Sequence, residues 1–266
     1  MKDKTITSLQ NPTLKWALRL RDSRFRKQEK RVLVEGAREI QRALATGWNL
    51  ETLFYCEDSL SSLAHQVLQS SAQGQQRLSL SAPLYSKLCM RESSDGVCGI
   101  FHEKTLELAQ LAPSETSLIL AVEGIEKPGN LGALLRTCDA VGAQALVLLG
   151  NCLDSLGTNV IRSSLGARFT VPVIATTPEL FYAFTQSHGF TQFAAVLSEN
   201  TRFYHEIAYP KRTVLLLGSE AHGLQPWWKD KGVQGIQIPM CGQVDSLNVS
   251  VAAGILLYEV HRQSLL

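Results

Sequence analysis

The sequence predicts an α/β fold in two parts: a small N-terminal α/β domain and a C-terminal domain built on a parallel sheet with helices on both faces. The apolar runs SLILAV, ALVLLG and TVLLLG have the length and composition of strands that are buried on both sides. Helical patterns alternate with such strands from residue 117 onwards, which is typical of parallel sheets. A polar, proline-containing stretch precedes them, so we expect domains at 1–105 and 117–266 joined by a linker at 106–116.

The composition is that of an ordinary globular protein, with 45% hydrophobic and 19% charged residues. The N-terminus MKDKTITSLQ lacks the apolar segment of a signal peptide, and the apolar runs are too short for membrane spans. The six cysteines form no C-x-x-C pair, which disfavours a zinc site or a dithiol redox motif. We therefore expect a cytoplasmic protein without a membrane segment or a metal.

The pattern of helices and strands can be followed along the chain. One helix is predicted from Asn11-Pro12 to residue 30, because Asn and Pro favour helix starts and apolar residues follow at helical spacing. Strands and helices then alternate in RVLVEG, AREIQRALATG, NLETLFYCED, LSSLAHQVLQS, RLSLSA, APLYSKLCM and DGVCGIFHEK. The predicted C-terminal strands are SLILAVEG, ALVLLG, FTVPVIA, FTQFAAVLSE, TVLLLGSE and VQGIQIPM. The predicted C-terminal helices are NLGALLRTCDAVG, GTNVIRSSLG, TPELFYAFTQSHG and LNVSVAAGILLYEVHRQ, with a loop at Trp227-Trp228.

The net charge of +2 conceals an asymmetry along the chain. Residues 1–42 hold 12 Lys and Arg against 5 Asp and Glu, whereas the rest of the chain is acidic. Such a basic segment is typical of nucleic-acid binding, although a solvated helix face would look similar.

Three loops follow apolar strands of the C-terminal part, at the sheet edge where α/β proteins bind ligands. In EKPGNLGALLRT, Gly129 and Gly132 permit a close approach of the backbone to a ligand, and Arg136 lies off the apolar stripe of the helix. The same residues also fit a simple N-cap at Asn130 and a solvated Arg136. The loop matches neither G-x-G-x-x-G nor G-x-x-x-x-G-K-[ST], which disfavours a dinucleotide or a P-loop site.

The other two loops are GSEAHGL and IQIPMCGQVDSLNVSVAAG. The first can present backbone groups to an adenine or ribose, and its Glu220 can pair with Arg136 or cap the next element. In the second, Ser246 is the predicted N-cap of the last helix, and Asn248 in the first turn faces a ligand or simply helps the helix to start. The predicted core-facing stripe of that helix is Leu247, Val251, Ala252, Ile255 and Tyr258.

In combination these motifs point to one family. N-x-G-x-x-x-R, G-S-E-x-x-G and I-P-M-x-G-x-V-x-S-L-N-V-S-x-A, in this order, closely resemble the three motifs of the SpoU, or TrmH-type, branch of the SPOUT RNA methyltransferases. The resemblance covers roughly residues 116–266. More loosely, ITSLQNPTLKWALRLRDSRFRKQEKRVLVEGAREIQRAL resembles the ribosomal-protein-like substrate-binding domain that precedes the catalytic domain in many members.

The resemblance implies methyl transfer from S-adenosylmethionine to a ribose 2′-hydroxyl of RNA. It also implies a trefoil knot from about Leu215 to the last helix and a homodimer formed through the knot region. The two-domain layout favours large-subunit rRNA over tRNA as the RNA partner. The residues that the resemblance assigns to the cofactor are Leu217, Gly218, Ile238, Met240 and Leu247.

The resemblance assigns catalysis to Arg136, Asn130, Glu220, Asn248 and Ser246. Since a guanidinium stays protonated at neutral pH, we expect Arg136 to hold an RNA phosphate and stabilise the emerging alkoxide rather than act as a simple base. Asn130 and Glu220 would orient Arg136 or the ribose, and Asn248 and Ser246 would complete the acceptor side. The expected RNA contacts are Lys15, Arg19, Arg24, Arg26, Lys27, Arg31, Arg162, Ser163 and Ser164.

Three alternative hypotheses accompany this one. A tRNA 2′-O-methyltransferase would differ only in its substrate. An RNA-binding module with an inactive site would bind RNA without turnover, and an unrelated nucleotide-dependent oxidoreductase would bind NAD. The missing dinucleotide fingerprint disfavours the last of these.

Overall fold

The computed structural model describes residues 4–70, 75–90, 95–197, 201–219 and 222–265. Contacts between residues divide the chain into two compact units. The first consists of Met1–Lys104 and Leu156–Thr170, and the second of Thr105–Ser155 and Val171–Leu266. The predicted domains differ from these units because they place residues 156–170 in the C-terminal domain. The roles of the two domains, RNA binding and catalysis, stay predictions.

The first unit is built on a mixed sheet. Its strands are β1 (Lys4–Ile6), β2 (Arg31–Glu35), β3 (Leu50–Tyr55), β4 (Gln76–Leu80) and β5 (Val97–His102). They lie in the order β1-β4-β3-β5-β2, in which β1, β4 and β3 run parallel and β5 is antiparallel to both of its neighbours. The accompanying helices are α1 (Pro12–Arg19), α2 (Ser23–Glu29), α3 (Ala37–Ala45), α4 (Ser62–Ser70) and α5 (Ala82–Leu88).

The helix predicted from residue 11 to residue 30 is two helices in the structure. Asn11 caps α1 as expected, since its Oδ1 accepts hydrogen bonds from the backbone N–H groups of Thr13 at 2.9 Å and Leu14 at 3.2 Å. Asp22 then caps α2 by accepting from the N–H of Phe25 at 2.8 Å. An Asp that bonds to the backbone two or three residues ahead favours a new helix start over helix continuation, which explains the break.

The second unit is built on an all-parallel sheet, as the sequence predicts. Its strands are β6 (Ser117–Glu123), β7 (Ala145–Leu149), β8 (Val173–Thr176), β9 (Thr191–Ala195), β10 (Arg202–Phe203), β11 (Arg212–Leu217) and β12 (Gln234–Gln237). They lie in the order β10-β12-β9-β11-β6-β7-β8, and each described pair is parallel. The buried strands β6, β7 and β11 supply much of the core.

The remaining helices follow these strands. They are α6 (Pro128–Ala140), α7 (Thr158–Ser163), α8 (Ala167–Thr170), α9 (Pro178–Ser187), α10 (Trp227–Asp230) and α11 (Val249–Ser264), of which α7 and α8 belong to the first unit. The predicted loop at Trp227-Trp228 is the short helix α10. The predicted strand FTVPVIA starts only at Val173, because Phe169 lies in α8 and packs edge-to-face on Trp48, with ring centroids 5.0 Å apart.

Two predictions about the last helix are wrong. Its N-cap is Asn248 rather than Ser246, because Oδ1 of Asn248 accepts from the N–H of Ser250 at 2.9 Å. The predicted core-facing stripe is not buried, since Val251 and Tyr258 are 50% and 53% exposed. The helix is apolar on two faces, and the face that it buries is Val249, Ala253, Leu256, Leu257 and Val260.

Helix α11 packs against α6 and β11, which fixes its N-terminus beside the carboxyl ends of the strands. Within the described part of the chain, none of the helices has the length and apolar character needed to cross a bilayer.

Candidate active site

A cavity of about 660 Å³ opens at the carboxyl ends of β9, β11 and β12 in the second unit. Three strand ends, 195–197, 217–219 and 236–238, form much of its wall, and the first turns of α11 close it. Open parallel α/β sheets bind ligands at this edge, and the volume is in the range of small-molecule sites. The fold therefore provides a ligand site where the motif loops meet.

The residues predicted to hold the cofactor lie together in this cavity. Its lining includes Leu217, Gly218, Ile238, Met240 and Leu247. The predicted catalytic residues Ser246 and Asn248 also line it. The second and third sequence motifs, which are separated along the chain, thus share one wall.

The loop after β11 is held in a narrow geometry. A Cβ on Gly218 would lie 2.0 Å from the carbonyl carbon of Gly223, so only glycine fits at this position. Ser219 and Gly223 exchange two backbone hydrogen bonds of 3.1 and 2.9 Å, which close the loop on itself. Glu220 lies outside the described residues, and its predicted pairing with Arg136 stays a prediction.

Asn130 of the first motif meets Asn248 of the third. Nδ2 of Asn248 donates a hydrogen bond to Oδ1 of Asn130 at 3.2 Å. Asn130 lies in the first turn of α6, and Asn248 directly precedes α11. The packing of α11 on α6 therefore brings two predicted catalytic residues together at the cavity.

Arg136 lies elsewhere on α6. Its side chain is exposed and is not part of the cavity lining. Six residues separate it from Asn130, so the two side chains point about 120° apart around the helix. The structure does not bring Arg136 into the cavity of its own chain.

The predicted RNA contacts in the basic segment fall into two groups. Lys15, Arg19, Arg24 and Lys27 are exposed on α1 and α2, and the Arg19 guanidinium lies 3.9 Å from the ring centroid of Phe25. Arg31 is half-buried and forms an ion pair with Glu51. These side chains remain candidates for contact with RNA.

The structure removes Arg26 from this set. Arg26 is only 3% exposed, and its Nη1 donates to the backbone carbonyls of Leu20 at 2.8 Å and Arg21 at 3.2 Å. The guanidinium thus stabilises the turn between α1 and α2 instead of facing a phosphate. Spacing alone did not distinguish Arg26 from Arg24, because both lie in the same basic run.

The predicted RNA contacts in and next to α7 also differ in whether they are accessible. Arg162 is exposed and Ser163 is half-buried. Ser164 is fully buried, where its Oγ donates to the carbonyl of Ile161 at 2.9 Å and accepts from the N–H of Arg168 at 3.4 Å. Ser164 is therefore wrong as an RNA contact.

Sequence reasoning missed several residues of the cavity. Residues 195–197 line it because β9 ends at the same sheet edge as β11 and β12, and Lys127 and Asp245 add charges of both signs. The rule that ligands bind at carboxyl strand ends would have pointed to the end of β9 at Ala195 and the residues that follow it. Among the described residues, no group of three or more His, Cys, Asp or Glu is arranged to hold a metal ion.

Comparison with known proteins places the chain in a family. The SpoU rRNA Methylase family matches residues 117–258, and the MRM3-like substrate binding domain matches residues 11–99. An uncharacterized tRNA/rRNA methyltransferase of Synechocystis is 32% identical over 266 residues, which cover 97% of this chain and 94% of the relative. The 23S rRNA (guanosine(2553)-2′-O)-methyltransferase of Bacillus subtilis is 26% identical over 97% of this chain and 99% of its own.

A solved structure agrees with these matches. The AdoMet-bound rRNA methyltransferase from Sinorhizobium meliloti superposes with a TM-score of 0.88 and 30% identity, over 99% of this chain and 98% of that chain. With its second and third motifs lining one cavity and its sequence matched by the family model over more than half its length, the chain belongs to the SpoU rRNA methylase family.

Proposed function

We propose that this protein is an S-adenosylmethionine-dependent RNA methyltransferase that methylates a ribose 2′-hydroxyl in large-subunit rRNA. The observation that carries this proposal is the single cavity lined by Gly218, Ile238 and Leu247, with Asn248 joined there to Asn130. Family membership supports the reaction class. The two relatives described above that name a single RNA class and match over nearly the whole chain both name rRNA, which supports the substrate class.

The cavity fits S-adenosylmethionine in size and in chemistry. The side chains of Leu217, Ile238 and Leu247 form an apolar wall against which an adenine ring can pack. The strand ends present backbone groups to the polar edge of the adenine. Lys127 and Asp245 supply charges that match the carboxylate and ammonium of the amino-acid end. When bound, the cofactor supplies a methyl group already activated on a sulfonium sulfur.

The chain's own residues then have to align the acceptor ribose with the methyl group and stabilise the charge that develops during transfer. Asn248 is held at both ends of its amide, by Asn130 and by Ser250, so it can fix the position of the acceptor ribose. The Arg136 guanidinium holds an RNA phosphate, and its positive charge stabilises the negative charge that develops on the 2′-oxygen. Ser246 and Glu220 complete the acceptor side in this proposal.

A homodimer formed through the knot region belongs to the proposal. The apolar face of α11 that carries Val251 and Tyr258 is half exposed, and large apolar side chains exposed in a stripe mark an interface. A second copy of the chain would bury this face. Such an arrangement would also give the exposed Arg136 of α6, the helix against which α11 packs, a place next to the interface.

We also infer a trefoil knot between Leu215 and α11. The support is topological: β12 pairs with β9 on the far side of β11, and the chain then returns to pack α11 on β11 and α6. Knotted folds are known exceptions to the rule that chains avoid threading.

The N-terminal part is the RNA-binding domain in this proposal, at 1–105, followed by a linker at 106–116 and the catalytic domain at 117–266. The exposed side chains of Lys15, Arg19, Arg24 and Lys27 support phosphate contacts that position the RNA. We place the protein in the cytoplasm, where its RNA substrate and its free cysteines are both accommodated.

The test is transfer of labelled methyl from S-adenosylmethionine to total RNA from a strain that lacks the gene. We expect label in large-subunit rRNA, lost with Arg136→Ala and largely lost with Arg136→Lys, because lysine keeps the charge but not the planar fork. Label in tRNA alone would show that the substrate is tRNA and not large-subunit rRNA. If the protein binds the cofactor but transfers label to neither free RNA nor ribosomal particles, the proposed methyltransferase activity is contradicted.

A further inference from the structure

A buried carboxylate lies beside the cavity without lining it. Glu123, the last residue of β6, is 5% exposed. Its Oε2 accepts a hydrogen bond from the backbone N–H of Gln225 at 3.1 Å and another from Nε1–H of Trp228 at 3.2 Å. Burial of a carboxylate is unfavourable unless donors compensate it, so these two bonds form a specific anchor.

The anchor holds the exit of the loop that follows β11. Gly223 and Leu224 line the cavity, and Gln225 is the next residue. The entrance of the same loop is the end of β11, which pairs with β6 in the register Leu217↔Val122. Glu123 therefore reaches from the neighbouring strand to the point where the loop leaves the cavity wall.

The second donor ties the loop to the core. Trp228 is buried in the hydrophobic cluster of the second unit, and its ring packs edge-to-face on Trp227 with centroids 4.8 Å apart. One carboxylate oxygen thus joins a buried aromatic side chain to the backbone at Gln225. The Ser219–Gly223 pair closes the loop locally, whereas Glu123 fixes it relative to the sheet.

We propose that Glu123 is a positioning residue for the cofactor cavity: its carboxylate holds Gln225 and Trp228 so that Gly223 and Leu224 keep their place in the wall. This inference rests on the proposed function, since it takes S-adenosylmethionine as the ligand of the cavity. Glu123 touches neither the cavity nor the reacting groups, so its removal acts on cofactor affinity rather than on the chemical step.

Three variants separate the roles of the carboxylate. Glu123→Asp keeps the charge but withdraws the oxygens by one methylene, away from Gln225 and Trp228. Glu123→Gln keeps an acceptor oxygen at the same reach. Trp228→Phe removes one donor and keeps an aromatic ring in the core. The matched control is Glu126→Asp, the same change at an exposed position three residues further on.

The first measurement is calorimetric titration of each variant with S-adenosylmethionine, after thermal melting has shown that the variant is folded at the assay temperature. Glu123→Asp should raise Kd about tenfold, which corresponds to one charge-assisted hydrogen bond. Glu123→Gln should stay within about threefold and Trp228→Phe should be intermediate. Glu126→Asp should bind like the wild type, and KM for the cofactor should follow Kd while kcat changes little.

The second measurement is amide hydrogen exchange at Gln225 in the cofactor-free protein, which reads the loop without reference to any activity. We expect exchange about tenfold faster in Glu123→Asp than in the wild type. Equal Kd in wild type and Glu123→Asp, or unchanged exchange at Gln225, would overturn the positioning role. Failure of the wild type itself to bind S-adenosylmethionine would instead overturn the proposed function. The wild-type titration therefore distinguishes a wrong function from a wrong role for Glu123.

Discussion

Asn248 donates a hydrogen bond from its side-chain amide to Oδ1 of Asn130 at 3.2 Å, although 118 positions separate the two residues in the chain. The opposite end of the same amide is also fixed, since Oδ1 of Asn248 accepts from the N–H and Oγ–H of Ser250 at 2.9 and 2.6 Å. One side chain thus caps α11 and connects α11 to α6. Its orientation at the cavity is set by both bonds.

Substitution of Asn248 by serine separates these two tasks. Serine is a good N-cap but has no amide to donate, so Asn248→Ser should keep the melting temperature of the wild type and lose methyl transfer. We expect a loss of about a hundredfold in single-turnover rate, which is typical when an orienting contact is removed. The measurement is labelled methyl transfer beside a thermal melt.

Three further variants control this experiment. Asn248→Ala removes the cap as well and should lower the free energy of unfolding by about 1 kcal/mol. Asn130→Asp keeps an oxygen acceptor and should be more active than Asn130→Leu. Wild-type transfer by Asn248→Ser would show that the bond to Asn130 has no part in the reaction.

The clustering of the candidate cofactor residues could be predicted largely because several of them lie at or just after strand ends. Gly218 and Ile238 follow apolar strands that any parallel sheet aligns at one edge, so their convergence needs only the fold class and the motifs. The Asn130–Asn248 hydrogen bond could not be predicted from the fold class and the motifs, because it depends on how α11 packs on α6. The motif resemblance placed both residues in catalysis, but no local pattern implies their contact.

The errors have a common physical origin in side-chain environment. Arg26 and Arg24 are two residues apart in one basic run, yet only Arg26 turns inward to bond backbone carbonyls. In α11 the apolar pattern fits two faces, and packing selected the face with Leu256 and Leu257. Periodicity identifies an apolar face, but it does not say whether the chain itself or a partner buries it.

The half-exposed face of α11 predicts a change in oligomeric state. Val251→Lys places a charge in the proposed apolar interface, where it would be desolvated without a partner, so the dimer should dissociate. Sedimentation velocity at micromolar concentration should show a dimer for the wild type and a monomer for Val251→Lys. Ser264→Lys, at an exposed position near the end of the same helix, should remain dimeric. A monomeric wild type would contradict the proposed dimer.

The cysteines predict a simple pattern of thiol reactivity. Burial raises the pKa of the Cys138 thiol to about 12, with a smaller contribution from Asp139, so at pH 8 it stays protonated and unreactive. Cys241 is exposed. A thiol reagent at pH 8 should therefore label Cys241 rapidly and Cys138 only on unfolding. Cys241→Ser should remove the fast phase, and a fast phase that persists would contradict this assignment.

Arg24 and Arg26 offer a matched pair of substitutions in one helix. Arg24→Ala removes an exposed charge, so it should leave the melting temperature unchanged, weaken RNA binding and reduce the slope of log affinity against log salt by about 1. Arg26→Ala leaves the carbonyls of Leu20 and Arg21 without the guanidinium donor in a partly buried turn. It should lower the free energy of unfolding by about 1–3 kcal/mol and leave the salt dependence of RNA binding unchanged. Chemical denaturation and RNA titration at several salt concentrations measure both effects. A reduced salt slope for Arg26→Ala with unchanged stability would mean that the guanidinium faces RNA after all.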